Sequence, residues 1–284
     1  MGKPRRKSLD DRVWGLWMPA RIFHLATKDL RFDPEASRCT DALGVQRPPL
    51  TKRMSGRLTK LSVPSLEGEF SSVLLRRRTW RLFARRPVNG EELSTLLNLT
   101  SGIQAWAETR TEGRVVLKTS PSGGARHPIE TYVAALNCGG VARGLYHYSA
   151  ERHGLTRIGD IDKPDIRRLL PQQPWYAESG AIVFFTAVVA RTMWRYSHAR
   201  AYRAVLIEVG HVCQTFCLTA TWLGLAPFCT MALADSAIER KLGIDGVTEI
   251  VLYAAGVGSR PHGTEWAPRA DKQPRLMTKH VIGL

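Results

Sequence analysis

Three groups of residues have types and spacing suited to chemistry. The first is Pro121-Ser-Gly-Gly124. Two adjacent glycines hold no side chain between backbone and ligand, so amides there can meet a flat or anionic group closely. An ordinary Pro/Gly turn has the same sequence. The second group is Arg77-Arg-Thr-Trp-Arg81. Guanidinium groups beside a hydroxyl hold a phosphate through charge-assisted, bidentate bonds; a solvated basic helix end has the same composition. The third is Arg195-Tyr-Ser-His-Ala-Arg-Ala-Tyr-Arg203, which leads into an apolar segment punctuated by Glu208, His211 and Gln214. Such polar residues either border a ligand or form a partly exposed face. Cys213 and Cys217 are one helical turn apart, a spacing that suits a metal or a redox pair. Both lie on an apolar stripe, so core packing is expected and no metal site is assigned.

The elements that must position these groups are readable from periodicity. After Pro128, Ile129, Thr131 and Val133 alternate with Glu130 and Tyr132, which predicts a strand running to Leu136. Residues 144–148 read as its hairpin partner, with 155–158 adding a short segment. Residues 181–189, dense in β-branched and aromatic types, predict a strand buried on both faces. Residues 250–257 predict the last strand. The clearest helix spans about 201–223, with Leu206, Val209, Cys213, Phe216, Cys217, Ala220 and Leu223 as its stripe. A helix from about Ser65 would present Phe70, Val73 and Leu74. Asn89 and Glu92 have capping-box spacing, and Gly102 fits the stop. Pro164 suits the first turn of a helix carrying Ile166, Leu169 and Leu170, and Asp235 reads as the cap of another with Ile238 and Leu242. Residues 106–114 read as a polar loop before a short strand at 115–117. Residues 1–62 read as an N-terminal helix and extended basic arm, and 63–284 as the main domain.

The 284 residues are 44% hydrophobic, enough for a sizeable core and too many for global disorder. A formal charge of +16 calls for an anionic partner: nucleic acid, acidic peptide, phosphorylated cofactor or anionic lipid. Five cysteines without a CxxC pair give no disulfide framework. The basic start is followed by no apolar signal core, and the longest apolar run, 181–190, is far short of a bilayer span. A soluble cytoplasmic protein with no membrane partner is expected. No helix-turn-helix, zinc-finger or RNA-motif signature supports nucleic-acid binding.

Several pieces, in one order, resemble the nitroreductase-fold flavoproteins, and within them the SagB-type dehydrogenases that finish thiazole and oxazole rings in ribosomal peptides. They are Arg77-Arg-Thr-Trp-Arg-Leu-Phe83, Pro121-Ser-Gly-Gly-Ala-Arg-His-Pro128, Gly144-Leu-Tyr-His-Tyr148, Arg195-Tyr196 with Arg200-Ala-Tyr-Arg203, Glu208-Val-Gly-His211, Leu223-Gly-Leu225 and Ala254-Ala-Gly-Val-Gly258. The resemblance implies an α+β, nitroreductase-like fold: a central, mainly antiparallel sheet flanked by helices, in an intertwined homodimer with FMN at the subunit interface. Arg77, Thr79 and Arg81 would hold the FMN phosphate, with Arg260 as a second phosphate ligand. Pro121, Ser122 and Gly123 would approach the isoalloxazine from the other subunit. Glu208 falls where simpler nitroreductases place a flavin-contacting glutamine.

Two departures stand out. Ala125 replaces an asparagine common in simpler nitroreductases. Arg195-Tyr196 replaces the lysine–tyrosine pair of azoline oxidases. Arginine does not usefully release a proton near neutral pH, so Tyr196 becomes the expected base, with Arg195 favouring its ionised form. The implied activity is FMN-dependent oxidation of an azoline in a peptide substrate by a homodimer, with a cyclodehydratase complex as a further partner. The alternative is a stand-alone NAD(P)H-dependent reductase of nitroaromatics, quinones or enones.

Overall fold

The computed structural model describes residues 9–30, 49–52, 54–62, 66–110, 112–171 and 173–262, with 9–14 as backbone only. The run at 181–189 forms its centre. Strand β6 (Ala181–Val188) has no exposed residue over its first seven positions. It lies between β3 (Ile129–Ala135) and β8 (Glu249–Ser259). Beyond them lie β4 (Gly144–Ser149), β5 (Gly154–Gly159) and β7 (Leu225–Thr230). The order is β5-β4-β3-β6-β8-β7 and every pairing is antiparallel. The fold is thus α+β, with an antiparallel sheet flanked by helices.

Side chains alternate across the sheet, so the central strands feed two cores. Val183 and Phe185 join Val133 and Ala135 on one face, and Ile182 and Phe184 join Tyr132 and Ala134 on the other. Burying each Phe contributes about 1.5–3 kcal/mol. Helix α6 (Tyr202–Trp222) covers the first face with Val205, Val209, Cys213, Phe216 and Ala220. The second face is covered by α4 (Lys163–Leu169) and α7 (Asp235–Leu242) through Ile166, Leu169, Ile238 and Leu242. Gly256 of β8 is required by close approach, since a Cβ there would lie 2.1 Å from the Phe228 ring of β7.

Helix α3 (Gly90–Ser101) starts at Asn89 with the capping box to Glu92, and α4 carries Pro164 in its first turn. Other expectations are corrected. Residues 105–117 are a hairpin, β1 (Ala105–Thr109) with β2 (Gly113–Leu117), rather than a loop and strand. On α6 the stripe begins at Val205, fully buried, while Leu206 is 39% exposed. Helix α2 (Glu69–Arg76) buries Val73 and leaves Phe70 and Leu74 exposed; Ser65 lies outside the described residues. Asp235 is not the cap of α7, which Ala234 begins; its carboxylate instead accepts from the Asp29 amide.

The N-terminal helix α1 (Leu9–Thr27) shares the main core through Trp17 and Ala20. Lys28 pairs with Glu239 and the Asp29 carboxylate accepts from Ser236. Residues 49–52 and 54–62 are exposed and form no helix or strand. The helix α5 (Val189–Arg195) leads from β6 to Tyr196.

Candidate functional site

The turn after Pro121 is an uncommon piece of backbone. Gly124, Ala125 and His127 all have positive φ, at 62°, 52° and 42°. For Ala and His that region costs on the order of 1–3 kcal/mol each, so surrounding contacts must hold it. Ser122 supplies two: its Oγ accepts from the His127 amide at 2.8 Å and donates to Glu208 Oε2 at 2.7 Å. Gly124 meets a second need, because a Cβ there would lie 3.1 Å from Tyr196 Oη.

Glu208 sits on the first half of α6 and is only 4% exposed. Burial pushes its carboxyl up to about 7, although the Ser122 hydroxyl, the Lys118 charge and the Gly123 amide pull the other way. It is therefore able to hold or release a proton near neutral pH. His127 is held down to about 4, first by burial and then by the Lys118 charge. Its Nδ1 lies 3.8 Å from Glu208 Oε1; with His127 neutral, that contact is not an ion pair at neutral pH. His127 Nε2 hydrogen-bonds to the Val116 carbonyl at 3.0 Å. The sequence leaves Glu208 either on a partly exposed face or bordering a ligand, and the structure buries it; His127 and Lys118 are given no role there. A histidine inside the quoted Pro121–Pro128 stretch was the available signal.

Tyr196 is half-buried immediately after α5. Its carbonyl accepts from Trp17 Nε1 at 2.9 Å, so the N-terminal helix holds the backbone of this residue. Arg195 is exposed and gives its Nε to Glu112 Oε1 at 2.8 Å. Arg126 binds the other oxygen of Glu112. The Arg195 guanidinium stands 6.0 Å from the Tyr196 ring centre. Its charge is thus shared with a carboxylate on a separate hairpin, a pairing no local spacing signals.

A cleft of about 330 Å³ opens beside this turn, lined by Lys118, His127, Glu130, His147 and Arg191 among others. Glu130 accepts from His147 Nε2 at 2.8 Å and pairs with Arg191. Burial opposes its charge, but those two partners hold it below the usual carboxylate range. Burial also pulls the Lys118 ammonium down. These are polar walls with both signs of charge.

The second predicted group lies elsewhere. Arg77 ends α2 in an extended conformation, and the chain runs on through Trp80, whose amide donates to the Pro227 carbonyl of β7 at 2.9 Å. Arg260 donates to the Leu225 carbonyl at 3.1 Å and lies 5.1 Å from the Trp80 ring centre. The structure therefore brings Arg260 to the Arg77–Arg81 segment, with Thr79 between the arginines. Among the described residues Arg77 and Arg81 have no carboxylate partner, whereas Arg126, Arg191 and Arg195 each have one. Guanidinium groups beside a hydroxyl and without a local counter-charge fit a phosphate monoester. Arg77 is near enough to Cys217 for its charge to act on that thiol. Cys217 is nine residues beyond Glu208 on α6, roughly 14 Å along the axis. Within one chain the two groups lie against different stretches of the same helix.

The nitroreductase family pattern matches residues 74–259. The chain is 33% identical over 190 residues to a protein of Methanocaldococcus jannaschii described as a nitroreductase, covering 66% of this chain and 92% of that one. It is 30% identical over 168 residues to the trifolitoxin-processing protein TfxB of Rhizobium leguminosarum bv. trifolii, covering 57% of this chain and 45% of TfxB. It thus spans less than half of that relative. Against the trifolitoxin operon protein TfxC it is 28% identical, covering 84% of this chain and 72% of TfxC. Among solved structures, the E. coli microcin synthetase McbBCD complex with truncated pro-MccB17 bound has a chain that matches with a TM-score of 0.60 and 17% identity, covering 89% of this chain and 94% of that one. At that identity the likeness is one of fold.

Proposed function

The chain belongs to the nitroreductase family, and on that footing we propose that it is an FMN-dependent dehydrogenase of the SagB type. Its substrate is a thiazoline or oxazoline ring in a ribosomally made peptide, and its product is the thiazole or oxazole. Family membership makes it an oxidoreductase, and the trifolitoxin and microcin relatives favour peptide modification over free nitroaromatics. The observation that carries the reading is the Tyr196 hydroxyl standing against Gly124, over a turn anchored by a buried, near-neutral Glu208.

FMN, when bound, supplies the acceptor for the hydride equivalent that leaves the ring. Arg77, Thr79, Arg81 and Arg260 would hold its phosphate, and Pro121, Ser122 and Gly123 would present backbone to its ring system. Tyr196 is assigned as the base for the ring-carbon proton, with Arg195 as its neighbour in the site. Glu208 Oε2 accepts from Ser122 Oγ whether the carboxyl is ionised or protonated on Oε1, so the turn keeps its hydrogen bonds in either charge state. The reading takes the active form as a homodimer, since exposed Leu206 and Ile207 leave an apolar strip on α6 that water would otherwise cover. A cyclodehydratase complex is the further partner, neither nucleic acid nor membrane is assigned one, and the cytoplasm is the expected location.

The experiment is to purify the protein, record flavin absorbance, and incubate it aerobically with an azoline-containing peptide. Loss of two hydrogens per ring, with tightly held FMN, is the expected result. A colourless protein, or one that oxidises NAD(P)H against nitroaromatics and leaves azolines untouched, would overturn the proposal.

A further inference from the structure

Cys213 and Cys217 place their sulfurs on the same side of α6, and β7 brings Cys229 to meet them. The three Sγ atoms lie within 4.8 Å of one another. Cys213 and Cys217 are buried, and Cys229 is partly exposed. Tyr253 of β8 donates its hydroxyl to Cys229 Sγ at 3.3 Å. Core packing alone does not require three sulfurs from two elements to face one another, because any small apolar side chain fills that volume.

We propose that Cys213, Cys217 and Cys229 form a three-coordinate site for a soft monovalent d10 cation, Cu⁺ in the first place. Thiolate ligands select soft metals over Mg²⁺ or Ca²⁺. Thiolate–metal bonds of about 2.3 Å in a trigonal plane place the sulfurs about 4.0 Å apart. The observed cluster closes to that size by side-chain adjustments of under about 1 Å. Among the described residues no histidine or carboxylate joins the group, whereas structural zinc sites are closed by four ligands. The ligand count therefore favours Cu⁺ over Zn²⁺. Three thiolates around one monovalent cation leave a net negative charge, which the Tyr253 hydroxyl opposes by donating to Cys229 Sγ.

This site does not depend on the flavin assignment. The test titrates the reduced, purified protein anaerobically with Cu⁺ against a chromophoric Cu⁺ chelator, in a Cys39→Ser/Cys138→Ser background. One equivalent is expected to be retained, with a sulfur-to-copper band in the near ultraviolet and a raised melting temperature. Cys229→Ser should lose that equivalent while far-ultraviolet dichroism is unchanged. Tyr253→Phe keeps all three sulfurs, and loss of an outer-shell hydrogen bond should weaken binding about 10–100-fold. This variant serves if Cys229→Ser fails to fold. No retained copper, undiminished binding in both variants, or a stable zinc complex that Cu⁺ does not displace would each overturn the proposal.

Discussion

Glu208 and His127 face each other in one buried turn and titrate in opposite senses. The Glu208 carboxyl rises from an ordinary 4.5 to about 7 on folding. At about 1.4 kcal/mol per pH unit, ionising it in the folded state costs on the order of 3 kcal/mol. Its contribution is fully present below pH 4.5 and is lost as pH rises through about 7. His127 falls from 6.5 to about 4. Its contribution, again on the order of 3 kcal/mol, is present above pH 6.5 and lost as pH falls through about 4. In the wild type the two slopes oppose each other between about pH 4.5 and 6.5, and this pair leaves little net pH dependence there. Each single variant should unmask the other group. Glu208→Gln should become less stable, relative to wild type, as pH falls from 7 toward 4.5. His127→Gln should become less stable, relative to wild type, as pH rises from 4 toward 6.5. Urea unfolding of the flavin-free protein at half-unit pH steps measures both. Differences of at least about 1.5 kcal/mol across the window, half the value derived above, are expected. Profiles parallel to wild type in both variants would show that the turn does not bury these groups together, and the proton-handling role of Glu208 would fall with it.

The other tests are more direct. Tyr196→Phe keeps the ring and removes the hydroxyl; with flavin still bound, azoline oxidation should fall roughly 10²–10⁴-fold, and Arg195→Lys should retain appreciable turnover. Arg81→Ala should cost about 1.5–3 kcal/mol of FMN binding, about ten- to over a hundredfold in affinity, read by flavin fluorescence on dilution; equal occupancy in an Arg77→Ala/Arg81→Ala double variant would remove the phosphate assignment. Trp17 is 1% exposed, so Trp17→Ala should destabilise the fold by about 3–5 kcal/mol. Trp17→Phe should cost about 0.5–1.5 kcal/mol through the bond to the Tyr196 carbonyl, and both are read by chemical denaturation. With a charge of +16, binding of an acidic leader peptide should weaken as salt rises, through screening; a salt-independent affinity by calorimetry would argue against electrostatic docking.

Local periodicity carried most of the fold. Alternation at 129–133 and the β-branched run at 181–189 are properties of neighbouring residues, so the strands are legible without partners. The same holds for the Asn89/Glu92 capping box and for Pro164. Where local signals were silent, the reading failed. Residues 105–117 form a mostly exposed hairpin with little apolar alternation, and a polar strand pair has the composition of a loop. On α6 the apolar residues extend around much of the helix, so periodicity puts Leu206 on the stripe where the sheet instead buries Val205. Motif spacing could nominate Ser122, Glu208, Arg81 and Tyr196, because it depends on residue type. Their charge states and partners depend on distances between segments far apart in the chain. Only the tertiary structure buried Glu208 under Ser122, paired Arg195 with Glu112, and brought Cys229 across to Cys213 and Cys217. Desolvation and pairing are set by what else fills the surrounding space, and no local stretch of sequence contains that information.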